Sequence, residues 1–117
     1  MPNRSRRKEL VSDYKQTRRE AGVYRVVNRQ TGKALLGSSL NLDSVRSKME
    51  FARQTGSSGV LGYQLKRDIE RFGIENFELE ILDVLETSPE MSDAQVRADL
   101  TALEQLWREK YAADALY

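Results

Sequence analysis

The sequence predicts a small domain of the α/β class, more strictly α+β, in which a three-stranded antiparallel or mixed sheet is flanked by helices. Three short segments, at residues 23–27, 34–36 and 77–85, are rich in β-branched and aromatic residues or alternate apolar with polar side chains, as strands do. Between and after them, apolar residues recur with the helical period. The 117 residues contain no repeat and no low-complexity linker, which predicts a single core.

The first two strands are predicted to form a β-hairpin. Turn-forming residues at 28–32 separate the two apolar runs, and their number suits a short hairpin loop. The third strand begins at Phe77, alternates apolar and polar residues as far as Ile81, and continues to Leu85. This alternation predicts a sheet with one buried face and one partly wet face.

Two helices are predicted between the hairpin and the third strand. Asn41 is suited to cap the first, which covers residues 42–55 and carries a regular apolar stripe. The apolar face of the second begins at Leu61, and Gly73 stops this helix. Because both helices have one apolar face, we expect them to pack on the sheet.

The two ends of the chain are predicted to be helical as well. A capping box of Ser92 and Gln95 starts a last helix that is expected to reach about Tyr111. The start of the chain has only a narrow apolar stripe among many charges, which predicts a short, weakly anchored basic helix. The chain is therefore divided into a basic N-terminal helical arm, residues 1–20, and a domain over residues 21–117.

The composition excludes several classes of chemistry. Cys and His are absent, which removes thiolate nucleophiles, disulfides, Ser-His triads and the usual zinc ligands. Any metal must be a hard ion held by oxygen. No apolar run approaches the length of a membrane span and no signal core follows the basic start, so we expect a cytoplasmic protein that does not enter membranes.

Charge is distributed unevenly along the chain. The net charge is +1, but the first twenty residues carry seven Lys/Arg against three Asp/Glu, whereas residues 83–117 carry three against eight. A basic arm suits contacts with a phosphate backbone, because neutralised phosphates release counterions. The alternative is an ordinary solvated helix face, and charge alone does not separate the two.

The order and spacing of several segments can be compared with known sequence patterns. These segments are Gly22-Val23-Tyr24, Leu35-Leu36-Gly37, and residues 38–42, 65–73, 75–82 and 103–107. In this order and spacing they resemble the GIY-YIG nuclease family. They fall where that family has its two hairpin triplets, its second helix, its third strand and its C-terminal helix. The resemblance implies a GIY-YIG nuclease-like fold and the hydrolysis of phosphodiester bonds.

The resemblance also implies catalytic roles for three residues. Tyr24 stands at the family's first hairpin tyrosine, which activates or orients water, and Glu104 stands at the ligand of one divalent ion, Mg²⁺ or Mn²⁺. Arg46 is the nearest substitute for the helix Arg that steadies the phosphate. Two alternatives stay open: Glu104 is an ordinary solvated helix residue, and Tyr24 is a packing residue.

Three apolar residues occupy positions where the family carries polar chemistry. Leu35 replaces the second hairpin tyrosine, Val45 stands at the position of the helix Arg, and Met49 stands where many members have a His. Each missing acid, base or charge clamp typically lowers a rate by about 10²- to 10⁴-fold. The sequence therefore predicts a nuclease scaffold with an incomplete catalytic site.

The function that the sequence favours is a nuclease-related protein that binds duplex or branched DNA and hydrolyses it weakly or not at all. Its basic residues are the expected phosphate contacts, together with a glycine and two serines that offer donors at a helix N-terminus. These contacts are Arg4, Arg6, Arg7, Lys8, Arg18, Arg19, Gly37, Ser38, Ser39, Arg46, Lys48, Arg53, Lys66 and Arg67.

Two other functions are compatible with the same residues. One is an active endonuclease that depends on Mg²⁺ or Mn²⁺, with Arg46 in place of the missing Arg and Glu104 as metal ligand. The other is a protein-interaction module that kept the scaffold and docks a partner through its acidic C-terminal helix. If hydrolysis is lost, no cofactor is expected.

Overall fold

The computed structural model describes residues 20–117 of the chain. Three strands, β1 (Ala21–Asn28), β2 (Ala34–Ser39) and β3 (Phe77–Leu85), form one sheet in the order β2-β1-β3, and both pairings are antiparallel. This confirms the predicted α+β fold, with an antiparallel rather than a mixed sheet. The predicted basic helix, and the contacts expected in it, lie outside the described residues: Arg4, Arg6, Arg7, Lys8, Arg18 and Arg19.

Three α-helices accompany the sheet. They are α1 (Leu42–Thr55), α2 (Tyr63–Phe72) and α3 (Asp93–Arg108). Two single 3₁₀ turns, Ile74–Asn76 and Ala113–Ala115, precede β3 and follow α3. Within the described part of the chain, no helix has the length and apolarity that crossing a membrane requires.

The caps read from the sequence explain where two of the helices begin. The Asn41 side chain accepts a hydrogen bond from the backbone N–H of Asp43, which starts α1 at the predicted residue. Ser92 and Gln95 form the predicted capping box at the start of α3. These bounds were readable because a cap is a local interaction between neighbours in the sequence.

Two predicted helix ends need correction. Helix α2 begins at Tyr63 rather than Leu61, because Gly62 has φ 103°, a left-handed value that no helix contains. Helix α3 ends at Arg108 rather than near Tyr111, because the backbone N–H of Lys110 bonds to the carbonyl of Trp107 in a tighter turn. Leu61 thus lies outside the helix, although it still packs on the core.

The central strand β1 is buried on both faces. On one face Val26 packs with Phe77 of β3 and with the apolar stripes of α1 and α2. On the other face Ala21 packs against Val96 and Leu100 of α3. The sheet thus separates α1 and α2 from α3. The edge strand β2 lies next to α1 on one face and next to α3 on the other.

Tyr117 contacts the ends of β1 and β2 next to the hairpin turn. The sequence did not predict this contact. The side chain of Asn28 is fully buried and donates a 3.0 Å hydrogen bond to the Tyr117 hydroxyl. That hydroxyl donates in turn to Asp68 of α2, over 2.6 Å, and the Tyr117 backbone N–H bonds to the carbonyl of Ala34. The buried amide is therefore satisfied and the hairpin is tied to α2.

Candidate functional site

Tyr24 lies in the middle of β1, opposite Gly37 of the edge strand β2. A Cβ atom on Gly37 would stand 2.8 Å from the Tyr24 hydroxyl oxygen and 2.9 Å from its Cζ atom. The phenol therefore crosses β2 directly over Gly37, where a side chain would collide with it. Gly37 does not have a left-handed φ, so its backbone conformation does not require a glycine. The glycine is required because it leaves space for the Tyr24 ring. A phosphate contact at Gly37 stays a prediction.

Glu104 reaches the same edge strand from α3. Its Oε1 atom accepts a 2.8 Å hydrogen bond from the Ser38 hydroxyl, and its Oε2 atom accepts one of 2.8 Å from Nη2 of Arg108. The side chain of Glu104 is 26% exposed, so these bonds form at a half-buried site. Charged hydrogen bonds of this kind are among the stronger ones in proteins. Both carboxylate oxygens are thus engaged by neighbours.

Sequence reasoning missed both partners of Glu104. Arg108 follows Glu104 by one helical turn, and this i,i+4 spacing is a recognisable signal for an ion pair. Such pairs are common on exposed helix faces, so the spacing did not mark this one as part of a site. Ser38 had no local signal as a partner, because only the docking of α3 on β2 brings it to the carboxylate.

Burial and a nearby charge both act on the Tyr24 phenol. Burial raises the pKa of Tyr24 above its ordinary value, and the negative charge of Glu104 raises that pKa further. The fold thus brings the two predicted catalytic residues within electrostatic range of each other. At neutral pH Tyr24 keeps its proton, so it is a hydrogen-bond donor rather than a ready base.

We expect the raised pKa to be visible in an alkaline titration. In the difference between wild type and Tyr24→Phe, phenolate absorbance should rise at a higher pH than in a tyrosine peptide, for which the pKa is about 10. Because the folded pKa is raised, its contribution to stability is present below pH about 10 and disappears as the pH rises through the folded pKa. A difference curve that coincides with that of the peptide would contradict the buried position of Tyr24.

A cleft of about 230 Å³ opens between β1, β2, α1 and the segment that precedes α2. Its wall combines aliphatic side chains with polar groups: Leu35, Val45, Val60 and Leu61 on the one hand, Tyr24 and Lys48 on the other. Leu35 and Val45 therefore line a cleft at the two positions where the family resemblance calls for a tyrosine and an arginine. Val45 is only 8% exposed there, and Met49 is buried in the core.

A second pocket, of about 360 Å³, lies between the end of β2 and α3. Ser38, Ser39, Thr101 and Arg97 line it. The three hydroxyl groups donate within the protein, to Glu104, to the carbonyl of Asn41 and to the carbonyl of Arg97. The positive charge that this pocket offers to an anion such as a phosphate group is that of Arg97, which was not predicted.

Arg46 lies apart from the cleft that contains Tyr24. Its Nη1 atom is 2.6 Å from Oδ1 of Asp43 and 3.4 Å from Oε1 of Glu20, and the side chain is 44% exposed. The guanidinium is therefore engaged by two carboxylates on the outer side of α1. The cation that the fold brings to Tyr24 is Lys48, half a turn further along the same helix.

The other basic residues predicted as phosphate contacts have different surroundings. Arg53 donates to the carbonyl of Phe77 over 3.3 Å, which uses part of its guanidinium for the fold. Lys66 lies 3.8 Å from Glu70 in an exposed i,i+4 pair. Arg67 is exposed on the same helix. These side chains stay accessible to a phosphate backbone.

Glu104 is the residue near Tyr24 that would hold a divalent cation. Hard ions such as Mg²⁺ take oxygen ligands, commonly one or two carboxylates completed by waters and phosphates. No group of three acidic side chains able to hold a metal occurs in residues 20–117, so Glu104 would be a single ligand, and one of its oxygens accepts a hydrogen bond from Arg108. An ion that binds this oxygen would first have to displace the Arg108 guanidinium.

Comparisons with known proteins add a weak structural likeness. No protein-family model matches the chain, and no curated protein matches it. Among solved structures, the catalytic domain of the homing endonuclease I-TevI is similar over 77% of this chain and 86% of that chain, with 23% sequence identity and a TM-score of 0.46. This likeness assigns neither a family nor an activity, so the function has to be argued from the side chains described above.

Proposed function

We propose that this protein binds DNA on a nuclease-like scaffold and hydrolyses phosphodiester bonds weakly or not at all. The order of the GIY-YIG-like segments in the sequence supports the scaffold, together with the α+β fold in which they lie. The observation that carries the proposal is the state of Glu104: its carboxylate is held by Ser38 and Arg108 rather than free to bind an ion.

Weak hydrolysis follows from what the cleft lacks. The mechanism that the resemblance implies needs a free carboxylate, a second hydroxyl and a fixed cation beside the phosphate. Leu35 and Val45 offer only aliphatic groups to the cleft, and Tyr24 keeps its proton at neutral pH. Since each positioned group is worth about 10²- to 10⁴-fold in rate, losing several together leaves little catalysis.

Binding to DNA is supported by cations that are available for it. Lys48, Arg67 and Arg97 form no ion pair with any other residue of the described part of the chain. Lys48 lines the cleft and Arg97 lines the pocket beside Ser38 and Ser39, so positive charge lies on both sides of β2. The basic segment at residues 1–20 adds further cations to this proposal.

We expect the protein to bind duplex and branched DNA in a strongly salt-dependent way. Lys48→Ala should weaken binding to every sequence alike and reduce the slope of log affinity against log salt by about one, because one phosphate contact is lost. Lys33→Ala removes the same charge from a residue that does not line the cleft and lies over the Tyr117 ring, and it serves as the matched control. Fluorescence anisotropy between about 50 and 200 mM salt measures both. Absence of binding at low salt would overturn the proposal.

The second candidate is an active endonuclease, and one observation favours it: Tyr24 lies over Gly37, and Glu104 bonds to Ser38, the next residue of β2. Activity would require Arg108 to leave the carboxylate. Incubation of plasmid DNA with the protein and Mn²⁺ tests this function directly. Nicking that Glu104→Ala abolishes supports the endonuclease, whereas no nicking, or nicking unaffected by that change, excludes it.

A further inference from the structure

The cleft beside Tyr24 has chemistry that suits a flat ring with polar edges. Aliphatic side chains, Leu35, Val45, Val60 and Leu61, form one part of its wall, and polar groups form the rest. A nucleobase has large apolar faces and polar edges. The aliphatic side chains suit those faces, and the Tyr24 hydroxyl is available to the edges.

An exposed aromatic residue follows the cleft wall in the sequence. Tyr63 is the first residue of α2 and is 84% exposed, whereas its neighbour Gly62 lines the cleft. The left-handed φ of Gly62, 103°, turns the chain sharply between the cleft wall and the helix. An aromatic ring that is exposed to water is a surface on which a second base can stack.

Positive charge accompanies this ring. Lys66 and Arg67 follow Tyr63 by three and four residues, so all three side chains lie on one face of α2. Lys48 lies at the cleft itself. A single strand of DNA needs both features, because its bases stack on aromatic rings while cations follow its phosphates.

We infer that the cleft binds an unpaired base of a single-stranded DNA segment, with Tyr63 stacking on the adjacent base and with Lys48 and Arg67 beside the phosphates. This inference rests on the proposed function, and it names the DNA that the protein prefers. A base inside a duplex is stacked and paired, so it cannot enter the cleft without being extruded. The expected substrates are single strands, flaps and junctions with unpaired bases.

The experiment compares three fluorescent DNAs of equal length, about 12 nucleotides, which is within the range that small single-strand-binding domains cover. They are a thymidine strand, the same strand with abasic sites in place of the bases, and a duplex. All three carry the phosphate backbone, but only the first offers free bases. We expect the thymidine strand to bind at least about tenfold more tightly than the abasic strand and more tightly than the duplex.

Two variants locate the binding. Tyr63→Ala should weaken binding to the thymidine strand about tenfold and leave the abasic strand unchanged, because base stacking is lost. Phe51→Ala removes an aromatic ring that is 51% exposed on α1 and does not line the cleft, so it is the matched control. Leu35→Gln makes the cleft wall polar without adding a charge, so it should also weaken binding to the thymidine strand and leave the abasic strand unchanged, with circular dichroism to verify folding.

The outcomes separate this inference from the proposed function. If the abasic strand and the duplex bind as tightly as the thymidine strand, the protein contacts phosphates alone: the inference fails and the proposed function stands. If Tyr63→Ala and Phe51→Ala bind alike, Tyr63 is not a stacking surface and the inference is overturned. If none of the three DNAs binds at low salt, the proposed function fails as well.

Discussion

Gly22→Ala is expected to destabilise the protein by about 3 kcal/mol, at the upper end of the range for overpacking a filled site. A Cβ atom on Gly22 would overlap the backbone carbonyl oxygen of Asp83 and stand 2.9 Å from Cδ1 of Leu42. A carbonyl in a paired strand cannot move aside as the tip of a flexible side chain can. The change therefore has to separate β1 from β3 or shift α1.

The pairing of β1 with β3 is irregular close to this glycine. Val23 pairs with Asp83 and Tyr24 with Ile81, so Leu82 is the extra residue and β3 is the bulged strand. Gly22 lies two residues before Tyr24 on β1. A separation of β1 from β3 at Gly22 is therefore expected to reach the Tyr24 phenol as well as the overall stability.

Urea denaturation followed by the fluorescence of Trp107, the only tryptophan in the sequence, measures the effect. The matched control is Gly59→Ala, because a Cβ atom on Gly59 would have no neighbour within 4 Å. That variant should be unchanged or up to about 1 kcal/mol more stable, since alanine restricts the unfolded chain. Equal stabilities for the two variants would contradict the close approach of β1 and β3 at Gly22.

Phe77→Ala is expected to lower the free energy of unfolding by about 3–5 kcal/mol. Phe77 is 1% exposed and is the largest of the fully buried side chains, packed among residues from β1, α1 and α2. Its removal leaves a cavity where three elements meet, and a rigid sheet can close around it only in part. The free energy of unfolding of a small domain is about 5–15 kcal/mol in total. The substitution therefore removes a large part of it.

Phe51→Ala is the matched control for this prediction, since it makes the same chemical change at a ring that is 51% exposed. Its effect should stay below about 1 kcal/mol. The urea midpoint should fall strongly for Phe77→Ala while the slope of the transition stays the same, which shows that stability changed rather than the extent of unfolding. A midpoint for Phe77→Ala close to that of Phe51→Ala would place the core elsewhere.

Much of the fold was predictable because its signals are local. Alternation of apolar and polar residues placed β3 at residues 77–85, and the capping residues Asn41 and Ser92 placed the starts of α1 and α3. The start of α2 was misplaced because Leu61 belongs to the apolar pattern and packs on the core without being helical. The contact made by Tyr117 was unpredictable, since its partner Asn28 is distant in the sequence.

The candidate site was predictable in its residue types but not in its pairings. Tyr24 and Glu104 were selected by the resemblance, and they lie close enough for charge to act between them. Arg46 was selected by its position in the sequence, yet it pairs with Asp43 and Glu20 away from the cleft. Lys48, which lines the cleft, was expected only as a phosphate contact.

The sequence by itself determined the elements of this protein, its lack of Cys and His chemistry, and the three apolar residues at positions of expected polar chemistry. These are properties of residue type and local periodicity, which need no partner. The tertiary structure alone decided that Arg108 and Ser38 hold Glu104, that Gly37 makes room for Tyr24, and that aliphatic walls and Lys48 share one cleft. Such contacts join strands and helices far apart in the chain, and only the packing of β2 against both helical layers brings them together.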